Sequence, residues 1–449
     1  MPRFFGSAVR HLPVWPERIL KLQENKLQKT LAVSLKGIIA LLAATTAAIS
    51  WAGEQGSLPT DVRGMSIGSA IESALANNPD MAAAEWDASI AQGERQQAGL
   101  IPNPEISWEA EDTRSDTRTT TVQITQPIEL GGKRGARIQL AERGQDVVAV
   151  DLQRKRNALR AGVIQAFYGA LRAQARLDLA EESLSVAERG KAAVDGRIRA
   201  GKSSPVEGTR AQVQLSEVRL EVNRANMALS NAYQQLDAII GSSSSSEAKI
   251  QGDTAHLPRI PTASALQRLL PETAEMRLTA IQITQQEASL GLEKAQRIPD
   301  LNISIGSQYS EEDRERVNVV GFSMPIPLFN RNQGNVLAAA RRADQARDLR
   351  NATELRLRTE TQQALEQWST AAKEVESFEG SILPAAQSAV DSATRGFEMG
   401  KFSFLDVLDA QRALIAARTQ YIQSIAEATD AWVRIERIFG DVSKLSSEF

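Results

Sequence analysis

The 449-residue sequence contains no cysteine. Disulfides, thiolate metal sites, cysteine nucleophiles and a lipidated N-terminal cysteine are therefore excluded. Histidine occurs only twice, as His11 and His256, which leaves little for imidazole catalysis or metal ligation. His256 lies in the link between the two halves of the chain, has no second histidine near it and reads as a surface residue. Aromatic residues are 5% of the chain, so the side chains that usually fill large cores are scarce. Formal net charge is −3, against a nucleic-acid binder. No serine lies in a nucleophile motif, and no carboxylate pair has a catalytic setting. The composition points away from an enzyme and requires no cofactor.

What is present begins with an export signal. Lys21, Lys26, Lys29 and Lys36 precede the uncharged run GIIALLAATTAAISWA, which ends in Ser50-Trp51-Ala52. A basic region, a short apolar region and a small-x-small end predict a signal peptide over 1–52. At about 16 residues the run is too short to span a bilayer as a helix, which takes ~20. Without 1–52 the chain keeps 45 basic and 53 acidic residues, a net charge of −8. No apolar run of spanning length remains, so any membrane passage has to be made by a closed β-barrel.

The remainder is written twice. Gly201-Lys202 recurs as Gly400-Lys401, Ala211-Gln212 as Ala410-Gln411, and Gly241 as Gly440. Pro104-Glu105-Ile106 matches Pro299-Asp300-Leu301, and Gln126-Pro127-Ile128 matches Met324-Pro325-Ile326. The pattern predicts repeat one over 53–241, a serine- and proline-marked link over 242–262, repeat two over 263–440 and a tail over 441–449. Each repeat opens with a helix (66–98, 263–297). Two alternating runs follow, at 104–112 and 118–126 in repeat one and at 299–309 and 316–324 in repeat two. On the fourth run, either Val317/Val319 or Val320/Phe322/Met324 can supply the apolar face. A very long helix comes next (135–200, 336–399), then a turn and a helix of about 36 residues (205–240, 404–439). Pro384 should bend the second long helix.

Four short strands cannot close a barrel, and an open edge is forbidden in lipid. At least two chains must therefore share one. Gly196 to Ser203 satisfies the phosphate-loop pattern by letter, but helix rather than strand precedes it, so it is dismissed.

The duplicated helix, strand pair, long helix and short helix resemble the TolC-type outer-membrane efflux channel family. QPIELGGKRGAR (126–137) resembles its heavy-metal, cobalt–zinc–cadmium resistance branch, and GKFSFLDVLDAQ (400–411) resembles the family's periplasmic tip. The resemblance implies a mainly α fold with a membrane β-barrel part. It implies a homotrimer in the outer membrane, with a 12-stranded barrel on a 12-helix tunnel reaching into the periplasm. The implied partners are outer-membrane lipid, a periplasmic adaptor and an inner-membrane resistance-nodulation-division pump, with divalent heavy-metal cations as cargo. The same channel could instead serve drug efflux or protein secretion, and a pore-free periplasmic coiled-coil scaffold is a further alternative. Carried onto this chain, the resemblance places Asp406, Asp409, Glu207 and Lys401 at a periplasmic gate. It makes Gly201, Lys202, Ser203, Ser204, Gly400, Lys401, Phe402 and Ser403 the adaptor-docking tips. Arg210 is a second basic candidate for a polar link there.

Overall fold

The computed structural model describes residues 65–112, 114–241, 250–253 and 258–442. The expected signal peptide and His256 lie outside the described residues, as does most of the 242–262 link.

The first helical region is two helices, α1 (Ile67–Asn77) and α2 (Pro79–Ala98). The break is local chemistry. Pro79 cannot continue a helix through its missing N–H, and Asn78 caps the new one by accepting from the Met81 amide at 3.0 Å. The side-chain amide of Asn78 also donates to the Ile239 carbonyl, tying the break to a later helix. Repeat two divides in the same way. α5 (Ala263–Leu269) and a 3₁₀ turn (Leu270–Glu272) precede α6 (Ala274–Ala295), with Thr273 accepting from the Met276 amide.

The strands are β1 (Glu105–Glu111), β2 (Thr119–Ile128), β3 (Leu301–Ser310) and β4 (Glu315–Ser323). They form one antiparallel sheet in the order β1-β2-β3-β4, so the two hairpins meet between β2 and β3. Ile106 pairs with Ile124, Ile124 with Ile305, and Ile305 with Val320. This register resolves the fourth strand. Val320 and Phe322 share the apolar face, whereas Val317 and Val319 oppose Gln308 and Gly306 on the polar one.

α3 (Lys133–Arg199) has 67 residues, about 100 Å at 1.5 Å per residue. α4 (Pro205–Ile240) folds back along it. The second rod is not one continuous helix from 336 to 399. α7 (Gln333–Ser377) gives way to a π turn (Phe378–Ile382) and then α8 (Leu383–Glu398). Pro384, in the first turn of α8, has no N–H for the ladder, and the π turn accommodates the deficit just before it. α9 (Phe404–Phe439) returns along α7 and α8.

The scarce aromatics concentrate where the helices cross. Phe167, Tyr168, Trp368 and Trp432 are buried with Ile164, Leu236, Leu266 and Ile435. Tyr168 meets Phe167 and Trp432 edge to face at 5.9 and 5.4 Å. Glu436 is buried there too, accepting from Arg160 Nε, Trp432 Nε1 and the Val442 amide, each at 3.2 Å. The C-terminal segment expected as a tail is anchored at its start. Asp441 pairs with Arg160 at 2.9 Å, and Val442 is fully buried. Residues 443–449 lie outside the described residues.

Candidate functional site

The two turns at the far end of the long helices are built alike. Gly201 and Gly400 take positive φ of 67° and 74°, conformations that a side chain disfavours. After Gly201, the Lys202 amide donates to the Arg197 carbonyl at 2.8 Å and the Gly201 amide to Ile198 at 2.9 Å. The Lys401 and Gly400 amides repeat this pattern on Gly396 and Phe397. These paired bonds close a helix and reverse the chain. Ser204 and Ser403 then cap the returning helices, each preceding a first-turn acid, Glu207 and Asp406.

Asp406 closes a reciprocal cap. Its carboxylate accepts from the Ser403 hydroxyl and amide at 2.8 Å each, while the Asp406 amide donates back to the Ser403 hydroxyl at 3.3 Å. These bonds hold its carboxyl below the usual carboxylate range, the Ser403 hydroxyl contributing most. Asp409, one turn later, is exposed and lies on the same face. Glu207 is half-buried, its amide donating to the Ser204 carbonyl at 3.0 Å. The side chains of Lys202, Arg210 and Lys401 stand in solvent.

Phe402 is not a bare apolar flag. Its ring lies on Gly396, where a Cβ would come within 2.1 Å of it, and 48% of the residue stays exposed. Beneath it, Val194, Ala211, Ala393, Phe397, Phe404, Val407 and Leu408 form a small core that joins the two hairpin tips. Arg197 completes the joint, and sequence reading missed it. Its partner, Phe397, is 200 residues away, and nothing local marks an arginine in a helix's last turn as a clasp.

At the opposite end the sheet shows one face of bare hydrocarbon. Trp108 is 67% exposed and Phe322 84%, with Ile106, Ile124, Ile305 and Val320 around them. The other face carries Glu105, Glu109, Thr121, Gln123 and Gln308. Among the described residues β1 and β4 have no outer strand partner. Water penalises such an apolar face and lipid penalises such edges. Both penalties vanish in a membrane-embedded ring of several copies.

The QPIELGGKRGAR segment fastens sheet to helix. Gly131 takes φ +70°, and a Cβ there would lie 2.8 Å from Ile298 Cβ. Lys133 pairs with Asp300 at 2.7 Å, and Arg134 Nε donates to the Gly99 carbonyl at 2.7 Å. Arg137 pairs with Glu129 and donates to the Leu100 carbonyl. Basic side chains thus hold the chain ends that enter β1 and β3.

Among the described residues no helix is long and apolar enough to cross a membrane, and no three metal-ligating side chains cluster. A lipid-facing sheet with open edges, carried on helical hairpins about 100 Å long, defines the protomer of an outer-membrane efflux channel. The chain belongs to the outer membrane efflux protein family, whose model matches residues 70–242 and 265–441. It is therefore a two-repeat channel protein of the outer membrane that extends into the periplasm. It is 38% identical over 376 residues to the cobalt-zinc-cadmium resistance protein CzcC of Cupriavidus metallidurans, covering 84% of this chain and 90% of that one. The nickel and cobalt resistance protein CnrC of the same organism is 28% identical over 309 residues, 68% of this chain and 73% of the relative. The fold superposes on the Campylobacter jejuni CmeC outer-membrane channel with a TM-score of 0.71 at 18% identity, covering 89% of this chain and 93% of CmeC.

Proposed function

We propose that three copies form a 12-stranded barrel on a 12-helix tunnel, the outer-membrane exit duct for divalent heavy-metal cations in a tripartite efflux system. The observation that carries the cargo is the near full-length similarity to a protein named for cobalt, zinc and cadmium resistance. The open sheet edges and bare apolar face support the shared barrel. An inner-membrane resistance-nodulation-division pump supplies the energy, and a periplasmic adaptor docks at the tips around Gly201–Ser204 and Gly400–Ser403. Phe402 offers the adaptor a half-exposed apolar side chain.

At the mouth, Asp406 and Asp409 from three chains make a ring of carboxylates that favours cations over anions. Asp406 also caps its helix, so Asp409 is the acid with fewer structural duties. Glu207 and Lys401 complete the charged rim. The scarcity of His, Met and Cys supports a duct that conducts rather than selects the metal.

Growth of a deletion strain across cobalt, zinc, cadmium, nickel, copper and silver, with dyes and detergents alongside, tests this reading. Sensitivity confined to divalent metals and restored by the wild-type gene is expected. Sensitivity to organic compounds alone would keep the channel and overturn the cargo.

A further inference from the structure

The sheet separates its charges by face. Among the described strand residues every carboxylate, from Glu105, Glu109, Glu111 and Glu315, belongs to the polar face. The apolar face carries a single charged side chain, Arg316. Pairing places it in the row Ala110–Thr120–Tyr309–Arg316, directly beyond the row that holds Trp108 and Val122. This row adjoins the two hairpin turns, whereas the helices leave from the opposite ends of the strands. In an outer-membrane protein that extends into the periplasm, the row therefore lies at the outer end of the sheet.

A cation on a lipid-facing row is costly at the bilayer midplane and close to free at its boundary. The Arg316 row thus marks the outer limit of the hydrocarbon, with Tyr309 beside it as a boundary aromatic. Two further arginines stand just above it. Arg118 precedes Thr120 by two residues on the same face, and its carbonyl accepts from the Glu311 amide at 3.0 Å, extending the β2–β3 pairing. Arg314 is exposed in the β3–β4 turn. Three neighbouring acids are already engaged: Glu311 by Arg118 at 3.2 Å, Asp112 by Arg114 at 2.5 Å, and Asp313 by the Ser310 hydroxyl at 3.0 Å. Arg314 and Arg316 have no ion pair among the described residues.

We propose that Arg316, with Arg314 and Tyr309, binds the phosphate of an outer-leaflet lipid, Arg118 flanking the site. This deepens the membrane-channel reading and rests on it. Guanidinium groups match phosphate oxygens in a two-pronged fork, and a tyrosine hydroxyl adds a donor. Depth selects the anion. The row sits directly above apolar residues, and the anion at the top of the hydrocarbon is the phosphate that joins headgroup to acyl chains. Charge selects the side. Carboxylates kept to the polar face repel phosphate there and leave the lipid side to the arginines.

Native mass spectrometry of the full-length protein tests this, with lipid A carrying both phosphates or none as the probe. The wild-type trimer should retain the phosphorylated lipid about tenfold better, the scale of losing a hydrogen bond to a charged group. Arg314→Gln with Arg316→Gln should bring retention of phosphorylated lipid A down to the dephosphorylated level, and Arg316→Lys should keep part of it. Arg342→Gln, on α7, should leave it unchanged. A trimer that retains both lipids equally, or a double variant that binds like wild type, would overturn the site and leave the channel standing. Displacement of lipid A by inorganic phosphate would make this a site for a free anion and overturn the lipid assignment. A wild-type protein with neither trimer nor lipid adduct would remove the channel reading and the site together.

Discussion

Arg197 lies over the face of the Phe397 ring, its guanidinium carbon 4.4 Å from the centroid, and donates from Nη1 to the Phe397 carbonyl at 2.8 Å. That carbonyl also accepts from the Gly400 amide, so one acceptor serves both its own turn and the neighbouring hairpin. The two tips of the protomer are therefore one mechanical unit, although they come from different repeats.

Arg197→Ala should loosen this joint. The cation–π contact and the charge-assisted bond together are worth roughly 1–3 kcal/mol. The buried Arg197 Nε has no hydrogen-bond partner, which places the net loss toward the lower end. Hydrogen exchange of residues 395–405 should quicken in the variant, with Arg197→Lys intermediate. Unchanged exchange would mean that the apolar tip core suffices without the arginine.

Gly396→Ala should displace the Phe402 ring, since the added Cβ would sit 2.1 Å from it. The ring is half exposed and can swing outward, so the cost is about 1–2 kcal/mol, within the usual range for overpacking. In Phe402→Ala the same glycine substitution should be nearly silent. A double-mutant cycle of thermal stability measures the coupling, and additivity would refute the contact.

The Ser403–Asp406 cap has a pH signature. The folded-state pKa of Asp406 is depressed, so its stabilisation is fully present above the ordinary carboxylate value of ~3.9 and is lost as pH falls through the lower folded value. Asp406→Asn should therefore lower the melting temperature at pH 7 and make little difference once the wild-type carboxyl is itself protonated. Ser403→Ala should shift the onset of this loss toward higher pH, because its hydroxyl is the largest cause of the depression.

Glu436 behaves oppositely. Burial raises its pKa, and Arg160 works against that rise. Its charge is thus a cost above the folded-state pKa, relieved as pH falls through that value toward the unfolded one. Arg160→Ala leaves the carboxylate, 1% exposed, without its cation and should cost roughly 3–5 kcal/mol. Glu436→Gln should cost less, because Arg160 keeps Asp441 as a partner. Thermal denaturation in detergent ranks the two variants, and the reverse order would show that the pair is not stabilising the crossing.

The duplicated, mainly helical layout with its two strand pairs is legible in the residues themselves. Gly-Lys turns, proline-bounded alternating runs and long polar helical stretches are local signals, each spoken within a few residues. The Asn78-Pro79 break is equally local and could have been read as a cap followed by a first-turn proline. The candidate site was only half legible. Tip residues announce themselves by turn chemistry, whereas the Arg197–Phe397 joint spans 200 positions.

Tertiary structure decided what depends on a distant partner. Alternation on the fourth strand fits two faces, and only its pairing to β3 assigns Val320 and Phe322 to the apolar one. The basic residues of QPIELGGKRGAR find Asp300, Gly99 and Leu100 only once the chain is folded. Backbone preference and periodicity act over one or two turns, so a sequence carries them openly. Which carbonyl an arginine reaches, or which face a strand buries, is set by neighbours that the chain acquires only on folding.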